Sequence, residues 1–114
     1  MKDADLRVPK VVTDVATAEE FQRLLDTGEV RNRAELARRF RLTRARVTQL
    51  MQLLDLHPLV LLFVKQLPPG TPTKMLTERG LRGLVRLPKK VQLATARRIV
   101  PGFSAFVMGT RNVA

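Results

Sequence analysis

The sequence predicts an all-α domain, a compact bundle of five to six helices containing a helix-turn-helix, behind a flexible N-terminal arm. Three observations predict it. Apolar residues recur at spacings of three and four, which gathers them on one side of a 3.6-residue helix. Polar caps followed three residues later by Glu stand at Thr17–Glu20 and Asn32–Glu35, the pattern of a capping box. Pro and Gly separate the periodic stretches, and no stretch alternates convincingly as a half-buried strand does.

In chain order, residues 1–16 are charged and lack an evident helical period, so they read as an arm. Thr17 opens the first expected helix, with Phe21, Leu24 and Leu25 turned inward, and Gly28 stops it. Asn32 caps a second helix carrying Arg38 and Arg39 outward. Thr43 caps a third, expected to run to Leu54 with Val47, Leu50, Met51 and Leu54 facing in. Pro58 suits the first turn of a fourth, His57–Leu67, which Pro68-Pro69-Gly70 ends. Leu59, Leu61, Leu62, Phe63 and Val64 make that helix apolar all round, so it is either central core or the interface of a homodimer. Residues 68–76 are a loop. Thr77 caps Glu78–Leu87, with Leu81, Leu84 and Val85 inward and Arg79, Arg82 and Arg86 outward. Pro88 opens the last expected helix, which Pro101-Gly102 stops. The helical domain is thus 17–100, and 101–114 is a tail of mixed character that packs either on the core or on a second copy.

Charge narrows the function. The chain of 114 residues carries a formal net charge of +11. Up to Glu29 there are seven acids against four bases; from Val30 onward there are three acids against seventeen bases. A basic body of this kind suits a polyanion, because each neutralised phosphate releases counterions. With no Cys, there is no disulfide framework, thiolate metal site or cysteine nucleophile. Met1 to Lys10 holds no apolar run, and Leu59 to Val64 falls far short of the ~20 residues that span a bilayer. The expectation is a cytoplasmic, nucleoid-associated protein without a membrane partner or cofactor.

Residues 33–54 carry the sharpest signal. Ala37 is the small residue two crossing helices need where they touch, and Leu36, Phe40, Leu42, Val47 and Leu50 fall on the shared side. Outward on the second helix, or at its cap, stand Thr43, Arg44, Ala45, Thr48, Gln49 and Gln52. Arg forks onto guanine and Gln onto adenine, each contact worth roughly 1–3 kcal/mol of discrimination, so these six are the candidate base contacts. Arg33, Arg38, Arg39, Arg41, Arg46, Arg79, Arg82 and Arg86 are candidate phosphate contacts, which position without specifying. For each arginine singly, a solvated helix face explains it about as well. Arg41 stands in the turn where Gly is usual, so that turn either holds a non-Gly left-handed residue or takes another geometry. Arg7 and Lys10 could reach a minor groove as an arm.

The stretch from Gly28 to Leu87 resembles the helix-turn-helix domain of ParB/KorB-type partition proteins. The matching pieces are Ala34–Ala37 (AELA), Leu42–Arg44 (LTR), Arg46–Leu56 (RVTQLMQLLDL) and Leu76–Pro88 (LTERGLRGLVRLP). Arg7-Val8-Pro9, Gly28-Glu29-Val30 and Thr43–Gln49 (TRARVTQ) are similar to segments of small phage and recombinase-associated helix-turn-helix proteins. The resemblance implies double-stranded DNA as partner, a transcriptional, partition or recombination accessory role, contact with recombinase or other DNA machinery, and a DNA-facing helix after the helix-turn-helix. The nucleotide-binding domain of partition proteins, with its arginine-rich boxes, has no counterpart in this sequence, so CTP hydrolysis does not carry over.

Other motifs fade on inspection. Gly80-Leu81-Arg82-Gly83 has the GxxG spacing of KH RNA-binding domains but lies within a helical period. Gly70 to Lys74 lacks phosphate-loop spacing. His57 has no second His or Cys beside it and is a helix-entry residue. Catalysis is not expected, since there is no Tyr, Ser104 is the only Ser, and beyond Glu35 only Asp55 and Glu78 remain as carboxylates. A non-catalytic protein-interaction or RNA-binding module is the alternative class.

Overall fold

The computed structural model describes residues 8–71 and 76–112, and for 110–112 the backbone alone. Among these residues there are seven α-helices and no strand: α1 (Lys10–Thr27), α2 (Arg33–Phe40), α3 (Arg44–Gln52), α4 (Pro58–Lys65), α5 (Glu78–Val85), α6 (Lys89–Ile99) and α7 (Phe103–Asn112).

The first correction concerns α1, which starts at Lys10 rather than Thr17. Pro9 sits in extended geometry at the cap, and its carbonyl accepts from the Val12 N–H at 3.0 Å. Thr17 lies mid-helix and caps nothing. The β-branched run Val11-Val12-Thr13 has low helix propensity, but burial overrides it. Val11, Val15, Ala18, Phe21 and Leu24 form one continuous buried stripe. Residues 10–16 are therefore helix; residues 1–7, including Arg7 of the expected arm, lie outside the described part. Gly28, at φ 79°, ends α1 in the left-handed conformation that only Gly adopts without strain.

Asn32 caps α2 by accepting the Glu35 N–H at 2.9 Å, and Glu35 returns the bond one residue early, accepting from the Arg31 N–H at 2.8 Å. Thr43 caps α3 through its hydroxyl oxygen, which accepts the Arg46 N–H at 3.0 Å. The end of α3 departs from expectation. It stops at Gln52 and tightens into a 3-10 turn, Leu53–Asp55. The tightened turn takes Leu53 inward, fully buried in one cluster with Leu56 and Val60, and leaves Leu54 half-buried. Phe40, expected inward, ends 42% exposed; it is the last residue of α2 and only leans on Phe21, ring centroids 4.9 Å apart.

Pro58 occupies the first turn of α4, and His57 Nδ1 accepts the Leu59 N–H at 3.1 Å. Val60 and Val64 are fully buried and Leu62 is exposed, so one face of α4 is core and the other is open. Thr77 caps α5 by accepting the Gly80 N–H at 3.0 Å, and Leu81 and Leu84 are buried. Gly80 and Gly83 lie inside this helix, as the period required. The second correction is the tail: α6 is not the last helix. Phe103–Asn112 forms α7, with Phe103 fully buried and set edge-on to Phe63 at 5.5 Å.

The interior divides into two clusters. One gathers Val11, Val15, Leu53, Leu56, Val60, Val64, Leu81, Leu84, Ala96, Phe103 and Val107 from α1 and from the 3-10 turn onward. The other gathers Phe21, Leu24, Val30, Leu36, Ala37, Val47, Leu50 and Met51 from α1, α2 and α3. The first half of α1 serves one cluster and the second half serves the other.

Candidate nucleic-acid interface

The segment Arg41-Leu42-Thr43 joins α2 to α3. Arg41 is left-handed (φ 57°, ψ 44°), the first of the two geometries its sequence allowed. The Leu42 N–H donates to the Ala37 carbonyl at 2.8 Å, which closes the end of α2. Val47, Leu50 and Met51 anchor α3 in the second cluster. That anchoring decides what remains outside. Thr43, Arg44, Ala45 and Gln52 are exposed, and Thr48 and Gln49 are half-buried.

The candidate phosphate contacts divide into two groups. Arg33, Arg38, Arg39, Arg41, Arg79 and Arg86 are exposed, as is Arg44. Arg46 and Arg82, expected outward, are engaged within the fold instead. Arg46 Nη1 donates to Glu78 Oε1 at 2.7 Å, Arg82 Nε donates to Glu78 Oε2, and Arg46 Nη2 lies 3.9 Å from the buried Asp14. Arg46 also donates to Gln49 Oε1 at 3.3 Å, so this half-buried guanidinium holds the carbonyl side of a candidate base contact. The reason is positional: Arg46 flanks the buried stripe of α3, at the edge that α5 covers. Lys10, read as part of an arm, is the first residue of α1 and pairs with Asp14 at 3.3 Å.

Glu78 is the residue that reading the sequence missed. Its side chain is 12% exposed. Burial acts to raise its pKa, but the hydrogen bonds and charges of Arg46 and then Arg82 outweigh it and hold the carboxyl below the usual range. The Glu78–Arg82 pair was legible as an i,i+4 contact; the partner thirty-two residues away, Arg46, left no local trace.

Acids of the first third reach the arginine face at two points among the described residues: Asp14 lies 3.9 Å from Arg46, and Glu20 is close enough to Arg39 for their charges to interact. Arg23 bridges Glu20 at 2.7 Å and Glu29 at 2.9 Å, and Lys65 pairs with Glu19 at 2.9 Å. Arg79, Arg82, Gly83 and Arg86 line an open hollow of about 560 Å³ beside α5. Lys74, part of the discounted phosphate-loop stretch, lies outside the described residues. No group of three or more His, Cys, Asp or Glu side chains converges among the described residues. No single helix among them is long and apolar enough to cross a membrane. No family model, curated protein or solved structure matches the chain.

Proposed function

We propose that the chain is a sequence-specific double-stranded DNA-binding protein in which α2 and α3 act as a helix-turn-helix and α3 enters the major groove. One observation carries the reading: the outer face of α3 presents Arg44, Ala45, Thr48, Gln49 and Gln52 with no acid among them. Arg44 and Gln49 offer the bidentate donors and acceptors that distinguish guanine and adenine, and Ala45 and Thr48 offer methyl groups to thymine. Arg33, Arg38 and Arg39 on α2 and Arg79 and Arg86 on α5 are the cations that hold such a helix against two phosphate backbones. The likeness of this stretch to ParB/KorB-type domains points the same way. The role is to occupy a site and so block or recruit other DNA machinery, with no chemistry of its own.

The test is selection of bound fragments from a randomised duplex library at near-physiological salt, followed by titration of the enriched site. The expected outcome is an enriched motif. Gln49→Ala and Arg44→Ala then each lower affinity for it by roughly 1–3 kcal/mol while non-specific affinity changes less. An inverted repeat with centres about 10 base pairs apart would mean that two copies bind together. Retention without enrichment would leave an architectural binder and overturn sequence specificity. If no duplex is retained at all, the reading falls and a protein or RNA ligand takes its place.

A further inference from the structure

We infer that the Arg41 side chain is a dedicated phosphate contact, kept at the α2–α3 turn although the fold itself favours glycine there. The inference rests on the DNA-binding reading above and deepens it by naming the cation that positions the α2–α3 unit.

Arg41 is the one non-glycine residue with positive φ among the described residues. At the three other left-handed positions described, 28, 70 and 102, the chain uses Gly. In that region the Cβ of an L-residue crowds the backbone, and a glycine relieves the crowding. Asn and Asp tolerate the region better than a long side chain does.

Nothing among the described residues accounts for the arginine. Its side chain is exposed and makes no hydrogen bond or ion pair among the described residues. The bonds that shape the turn are main-chain bonds: the Arg41 N–H to the Arg38 carbonyl at 3.3 Å and the Leu42 N–H to the Ala37 carbonyl at 2.8 Å. Glycine keeps both. A strained residue whose side chain does nothing for the fold points to a use outside it.

The setting indicates what that use is. Residues 36 to 54 hold no acid, and Arg41 lies between Arg38 and Arg39 at the end of α2 and Arg44 at the start of α3. A backbone held left-handed between two anchored helices sets the direction in which the side chain leaves the turn. Less freedom is then lost when its charge meets a fixed partner. The chemistry that answers an arginine within an acid-free run, in a protein read as binding duplex DNA, is a backbone phosphate.

The experiment compares wild type, Arg41→Gly, Arg41→Lys and Arg97→Gln, the last removing one unit of charge from the exposed side of α6. Each is melted thermally and titrated with duplex DNA over a range of salt. Arg41→Gly is expected to melt about 2–5 °C higher. It is also expected to bind duplex roughly 3- to 10-fold more weakly at low salt, with the slope of log K against log salt shallower by about 0.9. Arg41→Lys keeps strain and charge, so its melting point and slope stay at wild type. Arg97→Gln keeps the wild-type slope. An Arg41→Gly protein that is stabler but binds with unchanged slope overturns the contact. One that is no stabler overturns the strain. A slope lost equally in Arg41→Lys, which keeps the charge and the turn, or equally in Arg97→Gln shows that a cation at position 41 is not what sets the slope and overturns the inference as well. A wild type that binds no duplex removes the DNA-binding reading itself, an outcome distinct from all of these.

Discussion

Glu78→Gln is the substitution that best probes how α5 is tied to α3. The carboxylate accepts from Arg46 on α3 at 2.7 Å and from Arg82 on its own helix, and only 12% of its side chain is exposed. A hydrogen bond to a charged group contributes about 1.5–3 kcal/mol, and stranding a partly buried charge costs more than never having placed it there. Two factors moderate the loss. Glutamine keeps one carbonyl acceptor, and the two arginines retain 28% and 25% exposure, so water relieves part of their isolation. The net expectation is about 2 kcal/mol at pH 7, or roughly 8 °C in Tm for a chain of this size.

The pH dependence supplies a second signature. Because Glu78 has its pKa lowered in the fold, its contribution is fully present above the unfolded carboxyl value of about 4.3. It is lost as pH falls through the lowered folded value, and the gap between wild type and Glu78→Gln closes there. Urea unfolding followed by far-UV circular dichroism from pH 7 to pH 3 measures both effects. A cycle with Arg46→Met should return a coupling of about 1–2 kcal/mol. If Glu78→Gln lies within 0.5 kcal/mol of wild type at pH 7 and the difference does not change with pH, the clamp contributes nothing and the argument fails.

Three further substitutions test other parts of the fold. Phe103→Ala removes a fully buried ring packed against Phe63 and Phe106 and should cost about 3–5 kcal/mol in urea unfolding; a cost under 1 kcal/mol would mean α7 is not part of the core. Gln92→Leu keeps the volume of a 2% exposed side chain that accepts from the His57 N–H at 2.8 Å and donates to the Leu87 carbonyl at 2.9 Å. It should cost about 2–3 kcal/mol and raise hydrogen exchange at the His57 amide, because both main-chain groups lose their partner. Gly28→Ala should cost about 1–2 kcal/mol although an added Cβ meets nothing within 4 Å, and Gly28→Asn should cost less, since the penalty is backbone strain rather than crowding.

What the sequence disclosed about the fold follows the range of the forces involved. The caps at Asn32, Thr43 and Thr77, the proline entry at Pro58 and the glycine stop at Gly28 each depend on groups within four residues, and each stands where the residues indicate. The first half of α1 does not follow local preference. Val11 and Val15 are helical because α4 and its neighbours bury them, and no nearby residue announces that. The same holds for Phe103 and Val107 in α7, whose glycine and mixed polarity hide a buried stripe. On the candidate site, residues such as Arg44 and Arg38 stand clear of the buried stripes and are exposed as their spacing requires. Residues at the flank of a stripe are decided by whichever element packs alongside. Arg46 is such a residue, and α5 draws it inward; Phe40 is another, and the end of α2 leaves it out.

The division of the interior gives α1 a mechanical part in the proposed function. Its second half contributes Phe21 and Leu24 to the cluster that holds α2 and α3, and its first half contributes Val11 and Val15 to the cluster that holds α4 to α7. A short helix pair buries too little surface to be rigid alone. Joined by one continuous helix and by the Arg46–Glu78 clamp, the α2–α3 unit shares the stability of the larger cluster. Asp14, buried within 3.9 Å of Arg46, places a side chain of α1 beside that clamp. The consequence for recognition is orientation. The arginines of α5 stand at a set distance from α3 only while the clamp and α1 are both intact, so under the proposed function loosening either should weaken binding by freeing the two cationic faces to move independently, without removing any group proposed to touch DNA.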